Sequence, residues 1–166
     1  MNEDKTEDSL HAGPIDRLDR RILQALQENG RISNQELATA VHLSPAQCNR
    51  RHRRLERLGY VKRYETRLDA DRLGLGVTAF VHVTMERGQF KEVLKFQRTI
   101  NRMPEILECH AVTGDFDYVC KVVASDLKSL SNFLLGTLAQ LPGVNGVRSS
   151  ICLNELKCTS ALPLPD

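Results

Sequence analysis

SNQELATAVHLSPAQCNRRHRRLERLGYVKRY, residues Ser33 to Tyr64, is the stretch whose reading decides the fold. Two serines in it are each followed three residues later by a partner, Ser33 by Glu36 and Ser44 by Gln47. Each is a capping-box spelling, in which the hydroxyl and the later side chain satisfy N–H groups at a helix start. Pro45 stands at the first helical position, where a missing N–H costs nothing. Gly59 is placed to end the second helix as a left-handed cap. The stretch therefore predicts two short helices joined by a three- or four-residue turn. The second carries Arg50, Arg51, Arg53, Arg54 and Arg57 against one acid, Glu56. A short neutral helix followed by a strongly cationic one spells a helix-turn-helix whose second helix enters a DNA major groove.

Upstream, Ile15, Leu18, Ile22 and Leu26 fall at helical spacing, widened by Leu23 and Ala25. Asp16 is the N-cap of this first helix and Gly30 its expected C-cap. The helix forms a floor for Leu37, Ala38 and Val41 of the second helix and for Cys48, Leu55 and Leu58 of the third. His52 shares that inward stripe. It is either a partly buried histidine bonded to a backbone carbonyl or a residue at the edge of a DNA contact. Residues 1–14 are polar and acidic without apolar periodicity and read as a disordered arm.

Downstream, Tyr60 to Leu68 is β-prone and carries Lys62, Arg63 and Arg67, which predicts a strand. Asp69 to Gly76 reads as a linker, completing a segment of strand and linker at 65–76. From Val77 the periodicity changes. Val77 to Met85 alternates as a strand. A helix follows from Phe90 to Ile100, ended before Pro104. Strands are predicted at Ile106–Val112 and Tyr118–Ala124, around a hairpin loop at Thr113–Asp117. Asp126 caps a second helix running to Leu141, Pro142-Gly143 breaks it, and Val144–Leu153 is the last strand. The order β-α-β-β-α-β over 77–158 is a ferredoxin-like sandwich, giving an α+β chain with a tail at 159–166. Both helices lie on one sheet face. The other face needs a cover, and a second copy of the sheet is the obvious one.

The overall charge of +2 hides an asymmetry. Residues 15–64 hold eleven Lys/Arg and five acids, a net +6, whereas 65–166 hold eleven bases and twelve acids, a net −1. Positive charge is thus concentrated in the segment that spells a DNA reader. No apolar run is long enough for a membrane span, and the amino terminus is unlike a signal peptide. Five cysteines, Cys48, Cys109, Cys120, Cys152 and Cys158, are odd in number and lack CxxC spacing. That pattern points to reduced thiols in a cytoplasmic protein rather than a disulfide framework.

An arginine run is often only a solvated helix face. Here four arginines in five positions lack acidic partners at i+4 apart from Glu56, and a polyanion neutralises such repulsion. Ser44, Pro45, Ala46, Gln47, Asn49, Arg50 and Arg53 lie at the outward face or its N-terminal end. Gln47 and Asn49 can bond adenine bidentately and Arg50 can bond guanine. Arg51 and Arg54 are more lateral and suit phosphates. Gly114-Asp115-Phe116-Asp117 reads by itself as a tight hairpin. The cysteines in the second half fall on predicted strands or their ends, where cysteine is a small apolar filler; a metal or redox site is the alternative. No Ser/His/Asp arrangement, Gly-rich phosphate loop or HExxH is present, so neither enzyme nor cofactor nor metal is expected.

From about Ile15 to Lys157 the chain resembles the Lrp/AsnC, or feast/famine, family of bacterial and archaeal transcription regulators. The resemblance rests on Ile15-Asp16-Arg17-Leu18-Asp19-Arg20-Arg21-Ile22-Leu23, Asn29-Gly30-Arg31-Ile32-Ser33 and Leu43-Ser44-Pro45. It continues through Arg54-Leu55-Glu56-Arg57-Leu58-Gly59, Pro104-Glu105-Ile106-Leu107-Glu108-Cys109-His110 and Gly114-Asp115-Phe116-Asp117-Tyr118. His52 departs from it, standing where the family usually has an aliphatic residue. The resemblance implies a DNA-binding homodimer built through the C-terminal sheets and assembled further to tetramers or octamers. It also implies an amino acid or similar metabolite bound near interfaces between dimers. The implied effector residues are Thr113, Gly114, Asp115, Phe116, Asp117 and Tyr118, with Ser150, Ile151 and Cys152 of the last strand. Backbone groups of the loop would take an α-carboxylate, and Asp115 or Asp117 an α-ammonium. Ser44 to Arg51 and the tail Thr159 to Leu164 resemble members controlling single amino-acid catabolic operons, proline catabolism among them.

Three functions compete on these residues. One is an effector-responsive transcription regulator, and another a ligand-independent architectural protein that wraps DNA. The third, an amino-acid-binding enzyme subunit, lacks an accompanying catalytic constellation.

Overall fold

The computed structural model describes residues 15–86, 88 and 90–164, with Phe90 as backbone only. The expected disordered arm at 1–14 lies outside them. Two compact units emerge, Met1–Arg67 with Lys157–Asp166, and Leu68–Leu156.

The first unit is built on α1 (Arg17–Glu28), α2 (Asn34–Val41) and α3 (Pro45–Arg57). All three begin with reciprocal capping boxes, Asp16 with Asp19, Ser33 with Glu36 and Ser44 with Gln47. Asn34 Nδ2 donates to the Pro45 carbonyl at 3.1 Å, tying the starts of α2 and α3. Helix α3 ends in a Schellman turn: Tyr60 N–H reaches Leu55 O and Gly59 N–H reaches Glu56 O, with Gly59 at φ +76°. Helix α2 ends the same way, Leu43 N–H to Ala38 O and His42 N–H to Thr39 O. Here the left-handed position is occupied by His42, at φ +58°. Ile22, Leu37 and Leu55 are fully buried, with Val41 and Cys48 beside them. Burying side chains of this kind contributes about 1.5–3 kcal/mol each.

Two expectations change in this unit. Helix α1 is capped by Asn29 in an extended conformation rather than by Gly30. The Asn29 side chain accepts from Arg31 N–H, so no left-handed residue is needed. The strand expected at Tyr60–Leu68 does not form: the β-prone residues find no neighbouring strand, and Tyr60, Tyr64 and Leu68 stay exposed. The tail is tied to this unit through Leu162 and Leu164. The Gln27 amide clasps Leu162, donating to its carbonyl at 3.1 Å and accepting from its N–H at 2.6 Å, and Leu164 packs against the helical core.

The second unit contains β1 (Val77–Met85), α4 (Phe90–Ile100), β2 (Ile106–Ala111), β3 (Tyr118–Ala124), α5 (Leu127–Gly136) and β4 (Val144–Ile151). The sheet is antiparallel in the order β2-β3-β1-β4, the expected ferredoxin-like arrangement. Alternation along β1 sends Ala79, Val81 and Val83 to the helical side, where they meet Phe96, Leu130, Phe133 and Leu134. Helix α5 stops at Gly136, and a 3₁₀ turn at Leu138–Gln140 replaces the expected continuation to Leu141. Strand β4 ends at Ile151, not Leu153: the ladder to β1 closes with Ala79 opposite Ile151, and one further bond follows it, from Cys152 N–H to Thr78 O. Phe80 and His82 of β1 alternate to the other face; Phe80 is 44% exposed there.

Candidate nucleic-acid interface and ligand loop

The five arginines of α3 fall into two groups. Arg51 and Arg54 turn back onto α1. Arg51 Nη1 lies 2.7 Å from Asp16 Oδ2 and 2.8 Å from Asp19 Oδ1, and Arg54 Nη1 lies 3.1 Å from Asp19 Oδ2. Asp19 is the one charged residue buried among the described residues, at 1% exposure. Hydrogen bonding from Asp19 N–H and then the Arg51 guanidinium hold Asp16 below its ordinary pKa. The two aspartates raise Arg51 in turn.

Arg50, Arg53 and Arg57 form the second group. All are exposed, and none has a hydrogen bond or ion pair among the described residues. With Ala46, Asn49 and the two anchored arginines they line a shallow groove along α3. Ser44, Pro45, Ala46 and Gln47 are exposed at the helix start. The Gln47 amide oxygen accepts from Ser44, so an adenine contact must share that oxygen with the cap.

Asp19 carries no site role in the sequence reading. Its signal is its place: it lies three residues before Ile22 and four after Ile15, on the inward stripe, where a carboxylate needs a partner. His52 also differs from expectation. Its Nε2 lies 2.6 Å from the Tyr64 hydroxyl, not at a backbone carbonyl. That hydroxyl donates to Glu56 Oε1 at 2.9 Å, so neutral His52 must carry its proton on Nε2 and donate to Tyr64. Partial desolvation of its hydroxyl, reinforced by the hydrogen bond to Glu56 and its charge, pushes the Tyr64 phenol up to about 12 although the residue as a whole is half exposed.

In the second unit the loop residues play unequal parts. Asp117 is anchored: its Oδ2 accepts from Met85 N–H at 2.7 Å, and its own N–H reaches Val83 O. Tyr118 is buried against Phe96, its hydroxyl 3.3 Å from Gln97 Nε2. Phe116 lies on His82, ring centroids 4.6 Å apart, with the Arg148 guanidinium 5.7 Å from its centroid. Thr113, Gly114 and Asp115 are exposed, and Asp115 has no polar partner among the described residues. Gly114 has φ +114° with open space where a Cβ would stand, so conformation rather than crowding demands glycine.

One chain does not bring the loop and the last strand together. The loop adjoins the Val83–Met85 end of β1, whereas Ser150 and Ile151 pair with Phe80 and Ala79, and Cys152 N–H bonds Thr78 O. Two strand spacings and four residues separate the groups, roughly 15 Å.

Family models match over both units. Residues 15–62 match a winged helix-turn-helix DNA-binding model, and residues 78–162 match the Lrp/AsnC ligand binding domain. The chain belongs to the Lrp/AsnC family. It is a DNA-binding transcription regulator with a ligand-binding domain. It is 41% identical over 148 residues to the leucine-responsive regulatory protein of Escherichia coli K12, covering 89% of this chain and 90% of that one. A transcriptional regulator of Neisseria meningitidis, solved as an L-Met complex, superposes with a TM-score of 0.88 at 39% identity, over 90% of this chain and 97% of that one. An AsnC family regulator from Agrobacterium tumefaciens follows at 0.84 and 31%, with the same coverage. In the Lrp/AsnC frame, α3 is the second helix of the helix-turn-helix. The 112–117 hairpin loop and the end of β4 both belong to the ligand-binding domain.

Proposed function

We propose that this regulator reads its operator with the outward face of α3 and responds to a free amino acid bound between copies of its second unit. The observation that carries the DNA contact is the row Arg50, Arg53 and Arg57: exposed, cationic and without acidic partners among the described residues. Three neighbouring arginines repel one another until phosphates or guanine edges neutralise them. Arg50 reads a base together with Asn49 and Gln47. Arg53 takes phosphate, while Arg51 and Arg54 chiefly hold α3 against α1 and present their remaining N–H groups to the backbone of the duplex. Ser44, Pro45 and Ala46 set the close approach of the helix start.

The effector reading rests on Asp115, an exposed carboxylate without a polar partner among the described residues, beside a glycine turn. It pairs the α-ammonium of the ligand, and loop N–H groups take the carboxylate. Because the loop and Ser150–Cys152 stand apart within one chain, a ligand touching both spans two copies. The exposed Phe80 beside His82 supports a dimer formed through the helix-free sheet face. The L-Met complex of the Neisseria relative is consistent with this class of effector.

A thermal-shift screen of the twenty amino acids, proline and methionine included, tests the reading: a ligand that binds only the folded state raises Tm. Gel shifts with and without the hit then separate it from an architectural DNA-wrapping protein, whose binding no amino acid changes.

A further inference from the structure

Cys109 of β2 and Cys120 of β3 stand directly opposite each other, Sγ to Sγ 3.3 Å. The ladder shows which kind of pair they form. Val112 N–H donates to Asp117 O, marking 112 and 117 as a hydrogen-bonded pair. Stepping inward alternates the pattern, so 109 and 120 form a non-hydrogen-bonded pair, whose Cα atoms lie about 4.5 Å apart. That separation falls at the short end of the range a disulfide spans, and the sulfurs have to close from 3.3 Å to about 2.05 Å to bond. Cys120 is fully buried in the core, whereas Cys109 sits on the edge strand and is partly exposed. One thiol can thus meet a small oxidant while the other waits behind it.

We propose that Cys109 and Cys120 are a reversible redox couple that peroxide converts into an intramolecular disulfide stapling the base of the 112–117 hairpin. The Cys109 thiolate attacks one peroxide oxygen, breaking the O–O bond. It becomes a sulfenic acid, and the second oxygen leaves as water after taking a proton. The Cys120 sulfur then attacks the sulfenic sulfur. Its thiol proton joins the departing hydroxide, and a second water leaves. Two thiols and one peroxide give one disulfide and two waters.

The environment assigns these roles. A hydrogen bond from the Cys120 thiol, aided by the neighbouring His110 against the effect of burial, lowers Cys109 to about 7. The same hydrogen bond, with burial, pushes Cys120 up and keeps it a thiol until it is needed. Cys48 is raised by burial alone, with no cysteine partner, and is not part of the couple. The disulfide would enclose residues 110–119 in one covalent ring and restrain the loop that holds Asp115. This chemistry is independent of which ligand that loop binds.

The test uses the reduced full-length protein, treated with hydrogen peroxide, alkylated after denaturation and digested with trypsin. No Lys or Arg lies between Met103 and Lys121, so both cysteines fall in one peptide. That peptide should be lighter by two hydrogens and carry no alkyl group, and dithiothreitol should restore both sites. Cleavage before Asp115 or Asp117 should leave two fragments still joined. In Cys120→Ala, Cys109 should stop at the sulfenic acid and capture one dimedone. Two alkyl groups on Met103–Lys121 at a peroxide dose that oxidises Cys158 would overturn the proposal. So would a Cys109 link to a second chain, or a folded Cys120→Ala protein whose Cys109 takes no dimedone.

Discussion

Arg51 of α3 and Asp19 of α1 are joined at 2.8 Å, and Asp19 is 1% exposed. One buried carboxylate of α1 therefore helps to set where α3, the second helix of the helix-turn-helix, lies on α1. It also draws Arg51 and Arg54 away from the outward face, leaving Arg50, Arg53 and Arg57 there. Removing Asp19 should cost stability as well as orientation. Its charge-assisted bonds to two half-exposed arginines contribute about 2–3 kcal/mol together. Asp19→Asn should lower the urea midpoint accordingly, and a change below about 0.5 kcal/mol would show the pair to be ornamental.

The same contact gives a pH dependence through Asp16. Its folded pKa lies below the ordinary 3.8, so its contribution is present above that value and is lost as pH falls through the lower, folded value. Asp16 is largely exposed, so the effect is small. Stability of the wild type should fall more steeply below about pH 4 than that of Asp16→Asn. Equal slopes in acid denaturation would remove Asp16 from this role.

The two arginine groups should behave differently on DNA. Arg50→Ala should cost about 1–3 kcal/mol at one operator position and relax preference there. Arg53→Ala should weaken all sequences alike and flatten the salt slope by about one unit. Arg54→Ala should flatten the slope too, but should also lower Tm, because its side chain holds Asp19. Salt titrations on operator and scrambled duplexes, paired with melting curves, distinguish these outcomes.

Asp115 and Asp117 are no longer equivalent. Asp117→Ala strips Met85 N–H of its acceptor and should destabilise the second unit by about 1–2 kcal/mol. Asp115→Ala breaks no bond among the described residues, so it should leave Tm unchanged while abolishing the amino-acid effect on DNA binding. Gel-shift titration with the ligand found by thermal shift checks both. An intact ligand response in Asp115→Ala would move the ammonium site elsewhere.

His42 offers a stabilising substitution. It holds a left-handed conformation that costs a non-glycine residue about 1–2 kcal/mol. Glycine removes that strain but frees the unfolded chain, which offsets part of it. His42→Gly should raise stability by about 0.5–1 kcal/mol in a thermal melt, and a lower Tm would mean that the imidazole makes a compensating contact.

Local chemistry was legible without the fold. The capping boxes at Ser33 and Ser44, the Gly59 turn and the period-2 run of Val77 to Met85 all depend on neighbours within a few residues, and each forms as spelled. The arginine run announced a polyanion partner for the same reason: charge density along one helix is a property of sequence. What depended on contacts from afar was not legible. Asp19 and Arg51 are thirty-two residues apart, and only packing of α1 on α3 shows that two of the five arginines are already neutralised. His52 and Tyr64 meet because the segment after α3 folds back without a sheet partner. The Leu162 backbone finds the Gln27 amide 135 residues away. Which of two aspartates anchors the hairpin follows from the position of the Met85 N–H. That Cys109 faces Cys120 follows from strand register, which a bulge between Ile106 and Glu108 shifts. Helix caps and turns are short-range bonds and can be read along the chain. Register and burial belong to the whole fold, because each is set by surfaces that meet only after the chain has collapsed.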